Sequence, residues 1–265
     1  LKDCGLEFEN GGSVKLKTIS KNFPLTLLFL RDDDIPECVD DEIADIGIVG
    51  ENVYLEKQKP LIIEEKLGFA RCRLSIAIPK NEMFRSIEDL NDKKIATTYP
   101  NILNTFLKKN NLNSIIHEIS GSVEIAPGIG LSDAIFDIVS TGSTLLSNGL
   151  KEVYTIAKSE AILIKNKHLS DEKNELLRKL LFRIRSVNTA RKFKYILLNA
   201  PDPAVDEICA ILPGIKSPTI MPLAQKGWSS LHSVIQQDDF WEIIEKLKKA
   251  GAEGILVIPI EQMIT

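Results

Sequence analysis

The stretch from Leu131 to Leu145, reading Leu-Ser-Asp-Ala-Ile-Phe-Asp-Ile-Val-Ser-Thr-Gly-Ser-Thr-Leu, most constrains what this chain can fold into. Asp133 to Val139 alternates and is rich in apolar β-formers, which predicts a strand. Ser140, Thr141, Gly142, Ser143 and Thr144 make a small hydroxyl-rich turn, and a helix can begin at Leu145. A strand feeding such a turn into a helix is a geometry that binds phosphate. The glycine lets the backbone approach, free N–H groups point outward, and the helix dipole favours an anion. Asp133 and Asp137, just upstream, could accept hydrogen bonds from sugar hydroxyls or lie near a metal-bound polyphosphate. An ordinary strand–helix loop with an N-cap has the same composition, so the rest of the chain must decide. The nucleoside-triphosphatase loop is excluded, because no Gly-Lys-Ser/Thr follows.

At 265 residues the chain suits two or three domains. Hydrophobic content of 44% and charged content of 26% describe a soluble globular protein, and a net charge of −4 argues against a nucleic-acid surface. No apolar run approaches the roughly 18 residues of a membrane span, and no signal peptide is visible, so a cytoplasmic protein off the membrane is expected. Cys4, Cys38, Cys72 and Cys209 lack metal-ligand spacing, which points to reduced thiols. His117, His168 and His232 are isolated.

The apolar run Leu25 to Leu30 reads as a strand leading into Arg31-Asp-Asp-Asp-Ile-Pro36. Asp34 would cap a helix over Cys38 to Ile43, while Arg31 could face an anion at a strand's carboxyl end. Ile46 to Val49, Gly50 and a helix near Asn52 form a second strand–glycine–helix unit, with Glu51 at its turn. Neither glycine turn has the dinucleotide Gly-x-Gly-x-x-Gly spacing. Leu61 to Leu67 and Cys72 to Pro79 are further strands. Arg71 and Arg73 straddle Cys72 and could clamp a phosphate or form surface ion pairs. Lys94 to Pro100 is a strand whose polar end holds Thr97, Thr98 and Tyr99, followed by a helix over 101–109 and a strand over 115–119. Glu124 lies in the next connection, before a helix from Ala126 that Gly128 and Gly130 break. The repeating pattern up to about residue 165 predicts parallel sheets in two lobes with a cleft between them, and strands over 153–156 and 161–164 return from the second lobe to the first.

Ser170 caps a long helix with the stripe Leu176, Leu177, Leu180, Leu181, Ile184 and Val187. Residues 165–194 carry ten Lys/Arg against three acids, suiting a solvated helix, a subunit interface or the margin of a polyanion site. Beyond it come a strand (194–199), a helix (202–212) ended by Pro213-Gly214, two strands (219–223 and 228–235), a helix (240–250) and a strand (254–260). That order, βαββαβ, is the ferredoxin-like unit.

With these motifs laid out, the chain resembles the ATP phosphoribosyltransferase family in its long form. The carrying segments are residues 31–36, 44–52, 72–75, 95–100, 121–127 and 133–145. Ser217-Pro-Thr-Ile220, Phe240-Trp241 and Gly251 to Glu261 carry it in the C-terminal part. The resemblance implies an α/β fold with a two-lobed, periplasmic-binding-protein-like catalytic portion and a C-terminal ferredoxin-like regulatory domain. The expected division is lobe I over 1–84, rejoined by 166–192, lobe II over 85–165, and the regulatory domain over 193–265. It implies transfer of the phosphoribosyl group of phosphoribosyl pyrophosphate (PRPP) to N1 of ATP, with Mg²⁺, no covalent nucleophile and unknown metal ligands. PRPP would sit on Asp133, Asp137 and Ser140 to Thr144. Arg31, Glu51, Arg71, Arg73, Thr98, Tyr99 and Glu124 would line the cleft for ATP and polyphosphate. Histidine would inhibit through Ser217, Thr219 and Gly254, with AMP a possible further ligand, in a homo-oligomer, dimer or hexamer. Family members begin with a strand and a basic Lys-Gly-Arg-Leu segment that do not precede Leu1, so a further N-terminal piece is expected. Two alternatives share the pattern: a solute-binding protein, and a catalytically inert regulatory subunit.

Overall fold

The structure is a computed structural model that describes residues 1–8, 16–212, 214 and 216–264. Pro213, expected to end a helix, lies outside the described residues. The chain packs as two units, Phe29–Ser170 and Leu1–Leu28 with Asp171–Thr265. In the latter, β1 (Lys17–Ile19) and β2 (Thr26–Leu28) form a short antiparallel hairpin. The apolar run that suggested a strand to Leu30 pairs over three residues only, and Phe29 and Leu30 are exposed.

The unit Phe29–Ser170 opens with a 3-10 turn at Asp32–Asp34 and α1 (Ile35–Asp40). This helix begins three residues earlier than expected, because Pro36 presets the first-turn backbone angle. β3 (Ile46–Gly50), α2 (Glu51–Lys57), β4 (Ile62–Lys66) and β5 (Cys72–Pro79) follow. Next come β6 (Lys94–Thr97), α3 (Pro100–Lys109) and β7 (Ile115–Glu118). A 3-10 turn at Val123–Ile125 stands where a broken helix from Ala126 was expected. β8 (Ala134–Val139), α4 (Ser143–Ser147), β9 (Leu150–Ser159) and β10 (Ala161–Lys165) complete the unit.

These strands form two sheets, β3-β10-β4 and β7-β6-β8-β5-β9, the two-lobed layout. The expectation of parallel sheets is corrected. Only β6 pairs parallel, with β7 and β8. β10 runs antiparallel to both neighbours, and β5 is antiparallel to β8 and β9. The cause is the route of the chain: it leaves the first sheet after β4 and returns through β10, one residue after β9 ends.

Both faces of the five-stranded sheet are covered. Leu74, Ile76, Leu90, Leu103 and Phe136 make one buried cluster, and Ala77, Ile135, Val139, Leu145 and Leu150 make the other. The two sheets are also tied by side chains from α2. Glu56 accepts the N–H groups of Asn101 (2.8 Å) and Ile102 (3.0 Å) at the first turn of α3, and Asn101 Nδ2 returns a bond to the Glu56 carbonyl (3.0 Å). A carboxylate there meets orphan amide donors and the positive end of a helix dipole.

The remaining unit carries α5 (Asp171–Ala190), with Leu177, Leu180, Leu181, Ile184 and Val187 buried as the stripe predicts. After it, β11 (Phe193–Pro201), α6 (Val205–Ile211), β12 (Thr219–Pro222), β13 (Trp228–Gln236), α7 (Phe240–Lys249) and β14 (Glu253–Pro259) build an antiparallel sheet of order β12-β13-β11-β14. This is the ferredoxin-like unit, with Ile196, Leu198, Ile208, Leu231 and Leu247 in its core.

Replacing Glu56 by Ala strands two amide donors at the start of α3. We expect a loss of about 1–3 kcal/mol in denaturant titrations, with faster hydrogen exchange at Asn101 and Ile102. Unchanged exchange there would show that the tie contributes nothing.

Candidate active site

β8 delivers the turn predicted from sequence. Its last residue is Val139, and Gly142 then adopts left-handed backbone (φ 83°) as the residue before α4. Only glycine takes that conformation without strain. Thr141 Oγ1 and Ser143 Oγ lie 3.0 Å apart, and Ser143 N–H reaches Thr141 Oγ1 at 3.4 Å. Ser140, Thr141, Ser143 and Thr144 are exposed, so the turn presents its polar groups outward.

Asp137 lies on the strand just before this turn, half-buried, accepting a bond from Ile138 N–H at 2.8 Å. Desolvation holds its pKa above the ordinary carboxylate value, and the nearby Glu124 charge adds to the rise. Tyr99 stands close by at the end of β6. Burial pushes its phenol up to about 12, Asp137 and Asp32 act in the same direction, and hydrogen bonds from Asn52 and Thr98 oppose them. Asn52, Thr98, Asp32 and Asp137 thus act on Tyr99, and Glu124 acts on Asp137.

Asp133 does not join them. It precedes the first residue of β8, four residues and roughly 13 Å of extended chain from Asp137. Its carboxylate accepts the Lys94 N–H at 2.8 Å, and it lines a separate cavity of about 420 Å³ with Lys93, Lys94, Pro127 and Ser132. Alternation put both aspartates on one face but could not put them at one end.

Of the two roles open to the arginine pair, both residues take the ion-pair one. Arg73 is forked onto Glu152, with Nε and Nη2 each 2.5 Å from a carboxylate oxygen. This pairing holds the Glu152 carboxyl down at about 2. Arg71 is exposed and, among the described residues, makes a long ion pair with Glu160 (3.8 Å). Arg31 is exposed beside the acidic turn. Glu51 accepts from Lys66 Nζ at 2.8 and 3.0 Å.

Sequence reasoning missed Asn52, Glu56, Ser159 and Glu152. Asn52 is 5% exposed, exchanges hydrogen bonds with Ser159, and donates to the Tyr99 hydroxyl at 3.2 Å. Its position one residue after the Gly50–Glu51 turn was the available signal. The allosteric candidates separate: Thr219 opens β12 and Gly254 lies in β14, the two opposite edges of the sheet. His232 is held by Tyr195 (2.6 Å) and Ser230 (3.3 Å) within the same sheet. Among the described residues, no group of three or more His, Cys, Asp or Glu could hold a metal ion, and no helix is long and apolar enough to cross a membrane.

An outward-facing amide turn with a carboxylate beside it, set between two α/β lobes, is the outline of a protein that handles a phosphorylated sugar. Residues 31–186 match the family HisG, ATP phosphoribosyltransferase, and residues 190–262 match HisG, C-terminal domain. The chain therefore belongs to the ATP phosphoribosyltransferase family. It is 60% identical over 264 residues to an ATP phosphoribosyltransferase of Cytophaga hutchinsonii, covering 100% of this chain and 92% of that one. It is 61% identical over 245 residues to the enzyme of that name from Bacteroides thetaiotaomicron, covering 92% and 87%. Among solved structures it is similar to an ATP phosphoribosyl transferase (HisG:HisZ) complex from Thermotoga maritima. That match has a TM-score of 0.59 and 30% identity, covering 70% of this chain and 90% of the other. The activity is transfer of the phosphoribosyl group of PRPP to N1 of ATP with release of pyrophosphate, the first step of histidine biosynthesis. The solute-binding and inert-subunit alternatives are set aside.

Because its folded pKa is raised, Asp137 costs stability as pH rises through that pKa and it ionises. Asp137→Asn should therefore gain on the parent as pH rises from the ordinary carboxylate range through the raised folded value, and hold that advantage at higher pH. Parallel melting curves from pH 4 to 9 check the sign, and a variant that loses ground with rising pH would contradict it.

Proposed function

We propose that the turn at Ser140 to Thr144 takes the 5-phosphate of PRPP and that Asp137 takes its ribose hydroxyls. The observation that supports this most directly is Gly142 in left-handed backbone immediately after the strand that carries Asp137. A carboxylate beside an amide cradle repels a bare phosphate but accepts from hydroxyls. The pair therefore suits a ligand that has both groups, a phosphorylated sugar. Asp133, at the other end of β8, is left out of this assignment.

Arg31 and Arg71 are the exposed cations for polyphosphate, and Thr98, Tyr99, Glu51, Glu124 and the added Asn52 line the cleft toward ATP. In the reaction the N1–C1 bond forms as the bond from C1 to the pyrophosphate oxygen breaks. The protein's task is to hold the two reactants in line and exclude water. A phenol with a pKa near 12 stays protonated at working pH, so Tyr99 supplies a hydrogen bond without a charge. Asp137 and Glu124 suit Mg²⁺ brought in on the polyphosphate, since that ion keeps several waters and takes one or two carboxylates. When bound, it offsets charge on the leaving pyrophosphate.

The ferredoxin-like domain is the seat of histidine inhibition in this reading, through Ser217, Thr219 and Gly254. Thr219 and Gly254 occupy opposite sheet edges. A complete site then needs edges from two copies, which links inhibition to a dimer or hexamer. Histidine there would bias the assembly toward a less active state, a coupling between distinct sites. AMP would compete in the ATP cleft, and the enzyme would work in the cytoplasm.

Pyrophosphate release from ATP, PRPP and Mg²⁺ should fall when free histidine is added. Thr219→Ala should lose most of that inhibition while keeping turnover within about twofold, since surface changes away from a site are nearly neutral. Equal losses of turnover and inhibition would overturn the separation of the sites.

A further inference from the structure

Arg73 and Glu152 lie behind the Ser140 turn and have no part in the assignment above. Their juxtaposition depends on an irregular register. β5 pairs with β9 as Ala77↔Glu152, Ser75↔Thr155 and Arg73↔Lys158, with shifts between Leu74 and Ser75 and between Ile76 and Ala77. Without those bulges, residues 152 and 155, three apart, would face opposite sides of the sheet. With them, Glu152 and Thr155 share the face that carries Ser75 and Arg73.

Glu152 is fully engaged there. It accepts two bonds from Arg73, one from Ser75 Oγ (2.8 Å) and one from Thr155 Oγ1 (3.2 Å). The fork fixes the guanidinium plane, and its remaining group, Nη1, donates to the Ser140 carbonyl at 2.9 Å. In a planar trans peptide the C=O and the following N–H point in opposite directions. Anchoring the Ser140 oxygen on Arg73 therefore turns the Thr141 N–H away from the guanidinium, toward the open side of the turn.

We infer that Arg73 and Glu152 are positioning residues that aim the Thr141 amide into the phosphate cradle, and that Arg73 does not itself contact phosphate. The inference rests on the reading of Ser140 to Thr144 as the PRPP turn. Charge supports it, because the pair is neutral overall and Arg73 adds no net attraction for an anion while Glu152 holds it. Moving Arg73 onto a ligand would leave the Glu152 carboxylate, about three-quarters buried, with two hydroxyls alone.

The test uses the full chain with PRPP and ATP in Mg²⁺, comparing Glu152→Gln, Arg73→Met, Arg73→Lys and the double variant Glu152→Gln/Arg73→Met. Positioning expects each single change to raise KM for PRPP by roughly tenfold or more, the size of one lost charge-assisted hydrogen bond. KM for ATP should hardly move. Lysine should not rescue, because it lacks the fork, and the double variant should be no worse than Arg73→Met. If Glu152→Gln leaves PRPP binding unchanged or tighter while Arg73→Met abolishes it, Arg73 is a phosphate ligand and the inference fails. Rescue by lysine has the same meaning. Melting curves identify any variant that does not fold; should Arg73→Met fail, Glu152→Gln and Arg73→Lys decide the matter between them. Gly142→Val separates the two levels. If it leaves PRPP binding intact, the turn reading itself is wrong. If it abolishes binding while Glu152→Gln is silent, only the positioning inference falls.

Discussion

The placement of β5 between β8 and β9 is the constraint on which the rest of the catalytic unit depends. It is hydrogen-bonded on both sides, and its residues alternate between two environments. Leu74 and Ile76 are fully buried in the cluster around Phe136, worth about 1.5–3 kcal/mol each by area. Arg73 and Ser75 take the other face, with Asp137 directly across from Ser75. A slip of one residue would drive Arg73 into the apolar cluster and pull Leu74 out of it. The register that buries the core is therefore the register that assembles the site.

That face holds two carboxylates that the protein treats in opposite ways. Glu152 receives a guanidinium fork and two hydroxyls, so its ionised form is strongly favoured. Asp137 receives one backbone N–H, lies near Glu124, and has its ionised form disfavoured by desolvation. The first arrangement is closed, with its hydrogen-bonding capacity spent inside the protein. The second is open, and a hydroxyl-bearing ligand would complete it. This contrast in satisfaction, more than the mere presence of acids, separates a supporting carboxylate from one left for substrate.

The alternating apolar run of β8, its glycine turn, the stripe of α5 and the βαββαβ order of the C-terminal unit were legible because each is local. What sequence could not supply was pairing. The strand–helix rhythm suggested parallel sheets, but direction depends on where the chain crosses between sheets, and β10 crosses back one residue after β9. Asp133 and Asp137 share a strand face by parity, yet parity says nothing of which end of the strand meets the cleft. The partner of Arg73 lies 79 positions away, on a strand whose bulges no period-two pattern anticipates. Glu56 reads as an ordinary polar residue of a short helix and Asn52 is signalled only by its place after the Gly50–Glu51 turn, whereas their burial at 9% and 5% exposure marks them out.

Those two residues bear on how the lobes can move. The two segments that cross between the sheets are bonded to each other, Leu67 N–H to the Ala161 carbonyl and Ala161 N–H to the Phe69 carbonyl, both at 2.9 Å. A hinge there permits rotation with little loss, since its own bonds travel with it. The contacts from α2 do not travel. Glu56 holds the first turn of α3, and Asn52 holds Tyr99 at the end of β6, so opening the lobes strips a carboxylate from two amides and an amide from a phenol. Exposing these groups to water replaces most of what is lost, so the net resistance is modest, on the order of 1 kcal/mol per bond. The Asp137 charge acts on Tyr99, and Asn101 lies in the first turn of the helix that follows Tyr99. The contacts that tie α2 to the second sheet therefore also hold Tyr99, the phenol on which the Asp137 charge acts.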